Sequence, residues 1–261
     1  MQPEERQAKI EARLQEVEFA SLEELAQQVS VSVSTVRRDL DELERTGKAR
    51  RTHGGARILQ PKSEEFVFSL RDTRQADEKE AIGLACASLI QPGQNVIIDS
   101  GTTCYHVARQ LADKVAQVIT NSLPVANLFA GSSRHEVLVS GGIIYPRLGV
   151  LVGPHAVDTF SKVHADVAIL SGSGICEEGI YNSHALLVDI QRAMMAGAAR
   201  VIFCLDHAKF NRRSTFFLSD FGPVDTVVTD SEAPEPLVTA LRSKGIEVVV
   251  APVAPVAAAA G

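Results

Sequence analysis

The chain has 261 residues, of which 45% are hydrophobic, and its formal net charge is −6 at pH 7. No apolar run approaches the ~18 to 20 residues that a membrane-spanning helix needs, and no secretory signal opens the chain. This net negative charge excludes a protein that coats nucleic acid through its overall charge, but it is compatible with a local DNA-binding face. The four cysteines and seven histidines are dispersed, so we expect buried thiols in a reducing cytoplasm and no metal site.

The first segment of the chain predicts three short helices. Residues 3–17 carry apolar residues at helical spacing among charges. Ser21 and Glu24 have the spacing of a capping box, which indicates that a second helix begins there. A tight connection at 30–31 leads to a third helix, which Ser32 is placed to cap. Two short helices joined by three or four residues describe a helix-turn-helix.

The third helix, from Ser32 to Leu43, combines a narrow apolar stripe with a polar face. Hydroxyl and guanidinium groups on that face suit phosphate oxygens and base edges in a DNA major groove. The candidates for DNA contact on this helix are Ser32, Ser34, Thr35, Arg37 and Arg38. The alternative is a solvated amphipathic helix with ordinary surface arginines.

Residues 48–57 hold several cations, no acid and a Gly-Gly turn. This pattern predicts a short β-hairpin, or wing, whose cations lie against a DNA backbone. We expect Arg50, Arg51 and His53 to lie on the wing, and a basic linker is the alternative. The polar stretch 60–65 that follows indicates a domain boundary.

From Gly93 the pattern changes to short apolar runs that alternate with helix-like segments. Runs of this length, separated by helices, predict a mainly parallel α/β sheet that is covered on both faces. The predicted strands lie at 95–98, 115–119, 136–139, 167–170, 200–204, 226–228 and 247–250. The predicted organisation is a winged helix-turn-helix domain at 1–58, a linker at 59–76, an α/β domain at 77–251 and a disordered tail at 252–261.

Small polar residues follow strand after strand in this second domain. Ligands of open α/β sheets bind outside the carboxyl ends of the strands, where hydroxyls and free helix N–H groups can hold an anion. The candidate binding residues are Asp99, Ser100, Gly101, Thr102, Thr103, Asn121, Gly141, Gly142, Gly172, Ser173, Gly174, Asp206 and Lys209. Neither a dinucleotide fingerprint nor a Gly-Lys-Ser phosphate loop is present, so we interpret the crevice as a site for a small polyol phosphate.

Within this crevice Lys209 would meet the phosphate, while Asp99 or Asp206 would accept hydrogen bonds from sugar hydroxyls. The alternatives are that each acid is a structural cap or turn residue and that Lys209 is an ordinary surface lysine.

Two sets of short motifs occur together, one in each half of the chain. The first set is Thr35-Val36-Arg37-Arg38-Asp39-Leu40, then Leu43, then Arg51-Thr52-His53-Gly54-Gly55-Ala56. The second is Asp99-Ser100-Gly101-Thr102-Thr103, Thr120-Asn121-Ser122-Leu123-Pro124, Gly141-Gly142, Leu151-Val152-Gly153-Pro154 and Asp206 through Phe210. Together they resemble the DeoR family of bacterial transcription regulators of sugar metabolism, over nearly the whole chain. The resemblance implies a winged helix-turn-helix, a sensor domain similar in fold to ribose-5-phosphate isomerase, a phosphorylated sugar or related effector, and repression.

Two positions depart from that family's pattern. The family commonly has Gly-Ala-Asp-Gly after the fourth strand, and here Ser173 replaces the acid. It often has Val-Lys-Arg-Ala-Met on the next helix, and here Gln191 replaces the lysine. Isomerases that resemble this domain need acids and a lysine in such loops for proton transfer, so these replacements weigh against catalysis.

The sequence thus predicts a cytoplasmic transcriptional regulator, specifically a repressor, that a phosphorylated sugar or related metabolite controls. It predicts no enzymatic activity, no cofactor and no membrane partner. One small domain reads few base pairs, so we expect a homodimer or homotetramer on double-stranded operator DNA. The alternatives are an isomerase-like or hydrolytic sugar-phosphate enzyme with an appended DNA-binding domain, and a module whose helix-turn-helix docks another protein.

Overall fold

The computed structural model describes residues 2–17, 19–46, 48–52, 54–58, 68–112, 114–131, 134 and 136–253. The chain divides into two compact units, Met1–Phe66 and Val67–Gly261. In the described part of the chain no helix is long and apolar enough to cross a membrane.

The first unit packs three helices with a three-stranded antiparallel sheet. Its helices are α1 (Pro3–Val17), α2 (Leu22–Val29) and α3 (Val33–Arg45), and its strands are β1 (Phe19–Ser21), β2 (Ala49–Thr52) and β3 (Gly55–Ile58), in the sheet order β1-β3-β2. The apolar stripes of all three helices meet in one core, in which Leu14, Leu25 and Leu40 are fully buried. The predicted helices and the hairpin of the wing are confirmed, whereas β1 is too short to be recognised from its pattern.

Side-chain hydrogen bonds determine where α2 and α3 begin. The Ser21 hydroxyl accepts from the Glu24 backbone N–H at 3.2 Å, and the Glu24 carboxylate accepts from the Ser21 N–H at 2.8 Å, which completes the capping box. The Ser32 hydroxyl accepts from the Thr35 N–H at 3.3 Å and caps α3. Between the helices Ser30 adopts the left-handed conformation, with φ of 54°, so the tight turn forms without a glycine.

The second unit is built on a seven-stranded parallel sheet, in the order β15-β14-β12-β9-β4-β5-β6. These strands are β4 (Asn95–Ile98), β5 (Gln117–Thr120), β6 (Glu136–Val139), β9 (Ala165–Leu170), β12 (Ala198–Cys204), β14 (Thr226–Asp230) and β15 (Glu247–Ala251). All seven predicted strands are confirmed, with ends that shift by at most two residues. Their Val/Ile-rich sequences fit a sheet that is buried on both faces.

Helices cover both faces of this sheet. The helices of the unit are α4 (Phe68–Asp72), α5 (Ala76–Ser88), α6 (Thr102–Gln110), α7 (Leu123–Phe129), α8 (Pro154–Ser161), α9 (Ala185–Ala196) and α10 (Glu235–Ser243). One hydrophobic cluster contains residues of α5, α6 and α7, and another contains residues of α8, α9 and α10. Val96 and Ile98 belong to the first cluster and Ile97 to the second, as the alternation of side chains along a strand requires.

Two small antiparallel sheets border the main sheet, and the sequence does not predict either of them. One pairs β7 (Ile143–Tyr145) with β8 (Val150–Val152). The other has the order β10-β11-β13 and consists of β10 (Gly174–Cys176), β11 (Gly179–Asn182) and β13 (Phe216–Ser219). Their strands have only three or four residues, too few to establish a hydrophobic period.

The structure corrects the predicted linker at 59–76. Within it, residues 68–72 form α4, and the Phe68 N–H donates to the carbonyl of Arg147 at 3.1 Å. The second unit therefore begins before the predicted boundary at 77, because contacts with residues far along the chain hold α4. Residues 59–67 and 254–261, which include the rest of the predicted linker and most of the predicted tail, lie outside the described residues.

Candidate DNA-binding face and effector crevice

The predicted DNA-reading residues lie on the first turns of α3. Ser32, Ser34, Arg37 and Arg38 are exposed and Thr35 is half-buried, while the apolar stripe of the helix faces the core. The Ser32 hydroxyl lies 2.8 Å from that of Ser34 and 3.0 Å from that of Thr35. This end of α3 thus presents a cluster of hydroxyls beside two exposed guanidiniums, a combination suited to phosphate and base contacts.

The wing carries Arg50 and Arg51 on β2, and both are exposed. The guanidinium of Arg51 forms an ion pair with the carboxylate of Asp41 on α3, and its backbone N–H donates to Glu44 at 3.1 Å. The wing is therefore less cationic than its sequence alone suggests, because one of its arginines has a carboxylate partner. The predicted contact residue His53 lies outside the described residues.

A cleft of about 530 Å³ lies between α3 and the wing. Arg37 from α3 and Arg51 from β2 both line it, together with Leu22, Glu44 and Thr52. The fold therefore brings together two arginines that the sequence places in separate motifs, and one anionic backbone could meet both of them.

Asp39 orients α3, a role that the sequence pattern does not reveal. The residue is 3% exposed, and its carboxylate accepts two hydrogen bonds from the guanidinium of Arg6 on α1, at 2.5 and 2.9 Å. Because Asp39 is held inward, its neighbours Arg37 and Arg38 are turned to the exposed side of the helix. A carboxylate among the apolar residues of a short amphipathic helix is the signal that could have indicated such a partner.

Five neighbouring strands of the second unit end in buried polar residues. Ser171, Asp99, Asn121 and Ser140 directly follow the neighbouring strands β9, β4, β5 and β6, in that order. Asp206 lies two residues after the end of β12, the next strand beside β9. Each of these is at most 6% exposed. The chain order reverses between β9 and β4, and such a topological switch point is where open α/β sheets bind ligands. We call this set of strand ends the crevice.

A buried amide bridges the two strands at the switch point. The Gln191 side-chain amide donates to the Asp99 carboxylate and to the Ser171 carbonyl, both at 2.7 Å. Its oxygen accepts from the Asn182 amide at 2.7 Å, and the Asn182 oxygen lies 3.5 Å from the Ser173 hydroxyl. The two positions that depart from the DeoR pattern, Ser173 and Gln191, are therefore linked through Asn182.

Asp99 lies at the centre of this network with neutral partners. Burial raises the pKa of the Asp99 carboxyl above its ordinary value, and hydrogen bonds from Ser100, Gln191 and Ser171 partly oppose that rise. The Ser100 hydroxyl donates to Asp99 at 3.3 Å. An acid in this environment is held by amides and hydroxyls, which are also the groups that bind a polyol.

The amino end of α6 opens into the crevice directly after Ser100. Gly101 occupies the N-cap position, no side chain caps the helix there, and Thr102 and Thr103 are buried. A Cβ atom on Gly101 would lie 3.0 Å from the Cβ of Ser171, so glycine permits the close approach of the two loops. Uncapped N–H groups at a helix start attract anions, which supports the predicted role of residues 99–103.

Three buried side-chain atoms of the crevice lack a hydrogen-bond partner among the described residues: Asn121 Oδ1, Ser140 Oγ and Asp206 Oδ1. A buried polar atom without a partner costs about 1 to 3 kcal/mol, so folded proteins seldom leave such atoms unmatched. The opposite end of the Asn121 side chain donates to the Leu151 carbonyl at 3.1 Å, which fixes the orientation of the amide. These atoms can accept or donate to a bound polar molecule.

Close packing accounts for three of the glycines predicted in the crevice. Gly142 has φ of +132°, and a Cβ there would lie 2.5 Å from the Val152 carbonyl oxygen. A Cβ on Gly174 would lie 2.1 Å from the Arg212 carbonyl oxygen, and one on Gly172 would lie 2.9 Å from a methyl group of Ile180. These positions need glycine for structural reasons, and Gly141 is exposed just before β7. Their contact with an effector stays a prediction.

The remaining predicted residues are Asp206, which immediately precedes the 3-10 turn at His207–Lys209, and Lys209, which ends that turn. The turn is anchored by His207, whose backbone N–H and ring Nδ1 lie 2.7 and 3.0 Å from the carboxylate of Asp230. Lys209 is half-buried and Asp206 is 2% exposed.

The sequence analysis missed Lys79, a buried lysine near this turn, because a lone lysine in a charged segment resembles a surface residue. Among the described residues no cluster of His, Cys, Asp or Glu could hold a metal ion.

Residues 74–231 match the DeoR C terminal sensor domain, and residues 6–62 match the DeoR-like helix-turn-helix domain. The chain belongs to the DeoR family. This DeoR-family regulator joins a helix-turn-helix to a sensor domain in one chain.

Curated relatives of this DeoR-family regulator carry a regulator's name. The HTH-type transcriptional regulator UlaR of Escherichia coli O1:K1 / APEC is 25% identical over 236 residues, which cover 90% of this chain and 94% of the relative. The UlaR of Shigella boydii serotype 18 matches with the same figures.

Solved structures resemble the DeoR-family chain more distantly. Ribose 5-phosphate isomerase A from Methanocaldococcus jannaschii has a TM-score of 0.38 and 14% identity, over 52% of this chain and 55% of that one. The eIF2B beta subunit from Chaetomium thermophilum has a TM-score of 0.41 and 13% identity, over 77% and 55%. Likenesses this distant support no conclusion about function.

Proposed function

We propose that this DeoR-family regulator represses genes of sugar or sugar-derivative metabolism and that a phosphorylated sugar bound in the crevice relieves the repression. The observation that carries the proposal is the set of unmatched buried polar atoms beside the uncapped start of α6. Asn121, Ser140 and Asp206 offer partners for hydroxyls, while the α6 N–H groups and Lys209 offer partners for a phosphate.

On the DNA side, the hydroxyl cluster and guanidiniums of α3 enter the major groove, and Arg50 and Arg51 contact the phosphate backbone. A single unit of this size reads few base pairs, so the regulator binds operator DNA as a homodimer or homotetramer. The effector changes operator affinity because it binds one of the two arrangements of the oligomer more tightly. This role places the protein in the cytoplasm, where the operator is.

An enzymatic function has less support from the crevice. Proton transfer requires acids or bases that ionise near neutral pH. Ser173 and Gln191 supply only a hydroxyl and an amide, which do not. The Asp99 carboxyl has amide and hydroxyl partners rather than a neighbouring ammonium that could exchange protons with it.

Mobility-shift titration with the DNA upstream of the protein's own gene tests the proposal. We expect salt-dependent binding of that DNA, and release of the DNA by at least one of ribose 5-phosphate, glucose 6-phosphate and fructose 6-phosphate. The same compounds are tested by thermal shift, since a ligand of the folded state raises its melting temperature. Absence of DNA binding contradicts the regulator, and turnover of any of these compounds favours the enzyme.

A further inference from the structure

Lys79 is a buried cation that holds the end of α4. Its side chain lies on the first turn of α5, and the residue is 4% exposed. The ammonium donates hydrogen bonds to the backbone carbonyls of Arg71 and Arg74. Arg71 lies in the last turn of α4 and Arg74 in the turn after it, and the Arg71 carbonyl also accepts from the Arg74 backbone N–H at 3.3 Å. Lys79 thus adds an ammonium at the carboxyl end of α4, where the helix dipole favours a cation.

The same ammonium lies beside the crevice. Cys86 of α5 packs against Cys204 at the end of β12. Lys79 precedes Cys86 by about two helical turns on the same face, and Asp206 follows Cys204 closely in the chain. Burial lowers the pKa of Lys79 to about 8, the carboxylate of Asp206 opposes this shift, and the Lys209 ammonium adds to it. Because α5 packs on the end of β12, Lys79 lies on the side of the sheet edge where Asp206 and the 3-10 turn follow that strand.

Helix α4 also contacts α6, whose amino end opens into the crevice. His106 of α6 lies 3.1 Å from the Asp72 carboxylate, and its other ring nitrogen lies 3.1 Å from Glu80 of α5. The rings of Phe68 and Tyr105 meet edge to face, with centroids 5.4 Å apart. In the chain, α4 is the first described element after β3 of the first unit. Helices α5 and α6 therefore hold the element with which the described part of the second unit begins.

We propose that Lys79 is a second cation of the effector crevice and that it couples effector binding to α4. This inference rests on the proposed function. A phosphate held by Lys209 and the start of α6 is a stronger acceptor for an ammonium than two neutral carbonyls are. When Lys79 turns to the phosphate, the carboxyl end of α4 loses both hydrogen bonds. Effector binding then favours the arrangement in which α4 is released, and operator affinity changes with it.

Hydrogen exchange on the wild-type full-length protein tests the coupling directly. Exchange of the α4 amides and of residues 73–75 is measured with ribose 5-phosphate, glucose 6-phosphate, fructose 6-phosphate or inorganic phosphate. We expect the compound that releases DNA to speed exchange in this segment about fivefold or more, while α10 is unchanged. Unchanged α4 exchange at a concentration that releases DNA would overturn the proposal.

Lys79→Met removes the ammonium, and Lys114→Met is the matched control. Lys114 donates to the carbonyl of Ala87 at 2.8 Å, so it also serves a helix end, but that end belongs to α5 and lies away from α4. We expect the effector to lower operator affinity about tenfold or more in wild type and in Lys114→Met, and under about twofold in Lys79→Met. An equal response in both variants would overturn the proposal. If Lys79→Met does not fold, the hydrogen-exchange result on the wild-type protein decides whether Lys79 couples the effector to α4. If none of these compounds releases DNA from the wild-type protein, the result contradicts the proposed function instead.

Discussion

The guanidinium of Arg6 in α1 forms two hydrogen bonds with the buried carboxylate of Asp39 in α3. The side chains of Arg6 and Asp39 are only 12% and 4% exposed, so their charges are largely removed from water. The pair joins the first helix of the unit to the helix that carries the predicted DNA contacts. It fixes the rotation of α3 about its own axis, and therefore the direction in which Arg37 and Arg38 point.

Arg6→Met should destabilise the DNA-binding unit and speed hydrogen exchange of its α3 amides about tenfold or more, because among the described residues it leaves the buried Asp39 carboxylate with only a 3.5 Å hydrogen bond from the Gln7 amide. The measurement is hydrogen exchange of the α3 amides in the full-length protein. Lys9→Met is the control, since Lys9 forms only an exposed pair with Glu5 at 3.6 Å and should cost less than about 0.5 kcal/mol. Equal protection of α3 in the two variants would mean that the Arg6–Asp39 pair does not stabilise the unit.

Arg37→Ala should weaken operator binding by about 1 to 3 kcal/mol while effector affinity stays unchanged, because Arg37 lines the cleft between α3 and the wing. Arg45→Ala is a matched control on the same helix. Arg45 is exposed at the far end of α3, where it pairs with Glu42 at 2.5 Å, and its removal should change affinity less than about twofold. Mobility-shift titrations compare the operator affinities of the two variants. Similar losses of affinity would indicate that only the total charge of the helix matters for DNA binding.

Lys209→Ala should abolish the thermal shift that a sugar phosphate causes, because it removes a cation beside the crevice, without unfolding the protein. Lys162→Ala is the control, since Lys162 is exposed at the C-cap of α8 and pairs with Asp158 at 2.7 Å. Isothermal calorimetry with the sugar phosphate that shifts the wild type supplies the affinities. Wild-type affinity in the Lys209 variant would exclude Lys209 as a ligand.

Lys79 should contribute a gain in the stability of the second unit as the pH rises above about 8. The buried thiols of Cys104 and Cys204, whose pKa values are raised well above the ordinary value, contribute a loss over the same range, so the contribution of Lys79 is read from a comparison of variants. The pKa of Lys79 is about 8 in the folded protein against 10.5 in an exposed lysine. Between these values Lys79 is protonated more fully in the unfolded chain than in the folded one, so at this residue raising the pH favours folding, by up to about 3 kcal/mol in all. Denaturant titrations from pH 7 to 10.5 measure the slope. The slope of stability against pH should be less positive, or more negative, in Lys79→Met than in Lys114→Met, and equal slopes would show that folding does not lower the pKa of Lys79.

The elements that local patterns encode were predictable from the sequence. The capping box of Ser21 and Glu24 predicts the start of α2. The seven Val/Ile-rich runs predict the seven strands of the main sheet. The order of those strands then brings their polar ends to one edge, which is why residues as distant as Asp99 and Asp206 were predicted together.

The features that the sequence analysis missed depend on contacts between distant residues. Asp39 and Arg6 are 33 residues apart, and Gln191 meets Asp99 across 92 residues. The short helix α4 has few apolar residues, and its position depends on Lys79, Tyr105 and His106. No local pattern distinguishes such a buried lysine from a solvated one, because burial is decided by what folds over it.

The amide of Gln191 limits how this crevice can change during evolution. Its nitrogen donates to Asp99 and Ser171, while its oxygen accepts from Asn182, so donors and acceptor are all in use. A lysine at position 191 would offer donors only, and the Asn182 amide would then face another donor. A Gln191→Lys substitution therefore requires the Asn182 amide to turn over, which gives up the hydrogen bond that its oxygen accepts from the Ser183 backbone N–H at 2.7 Å.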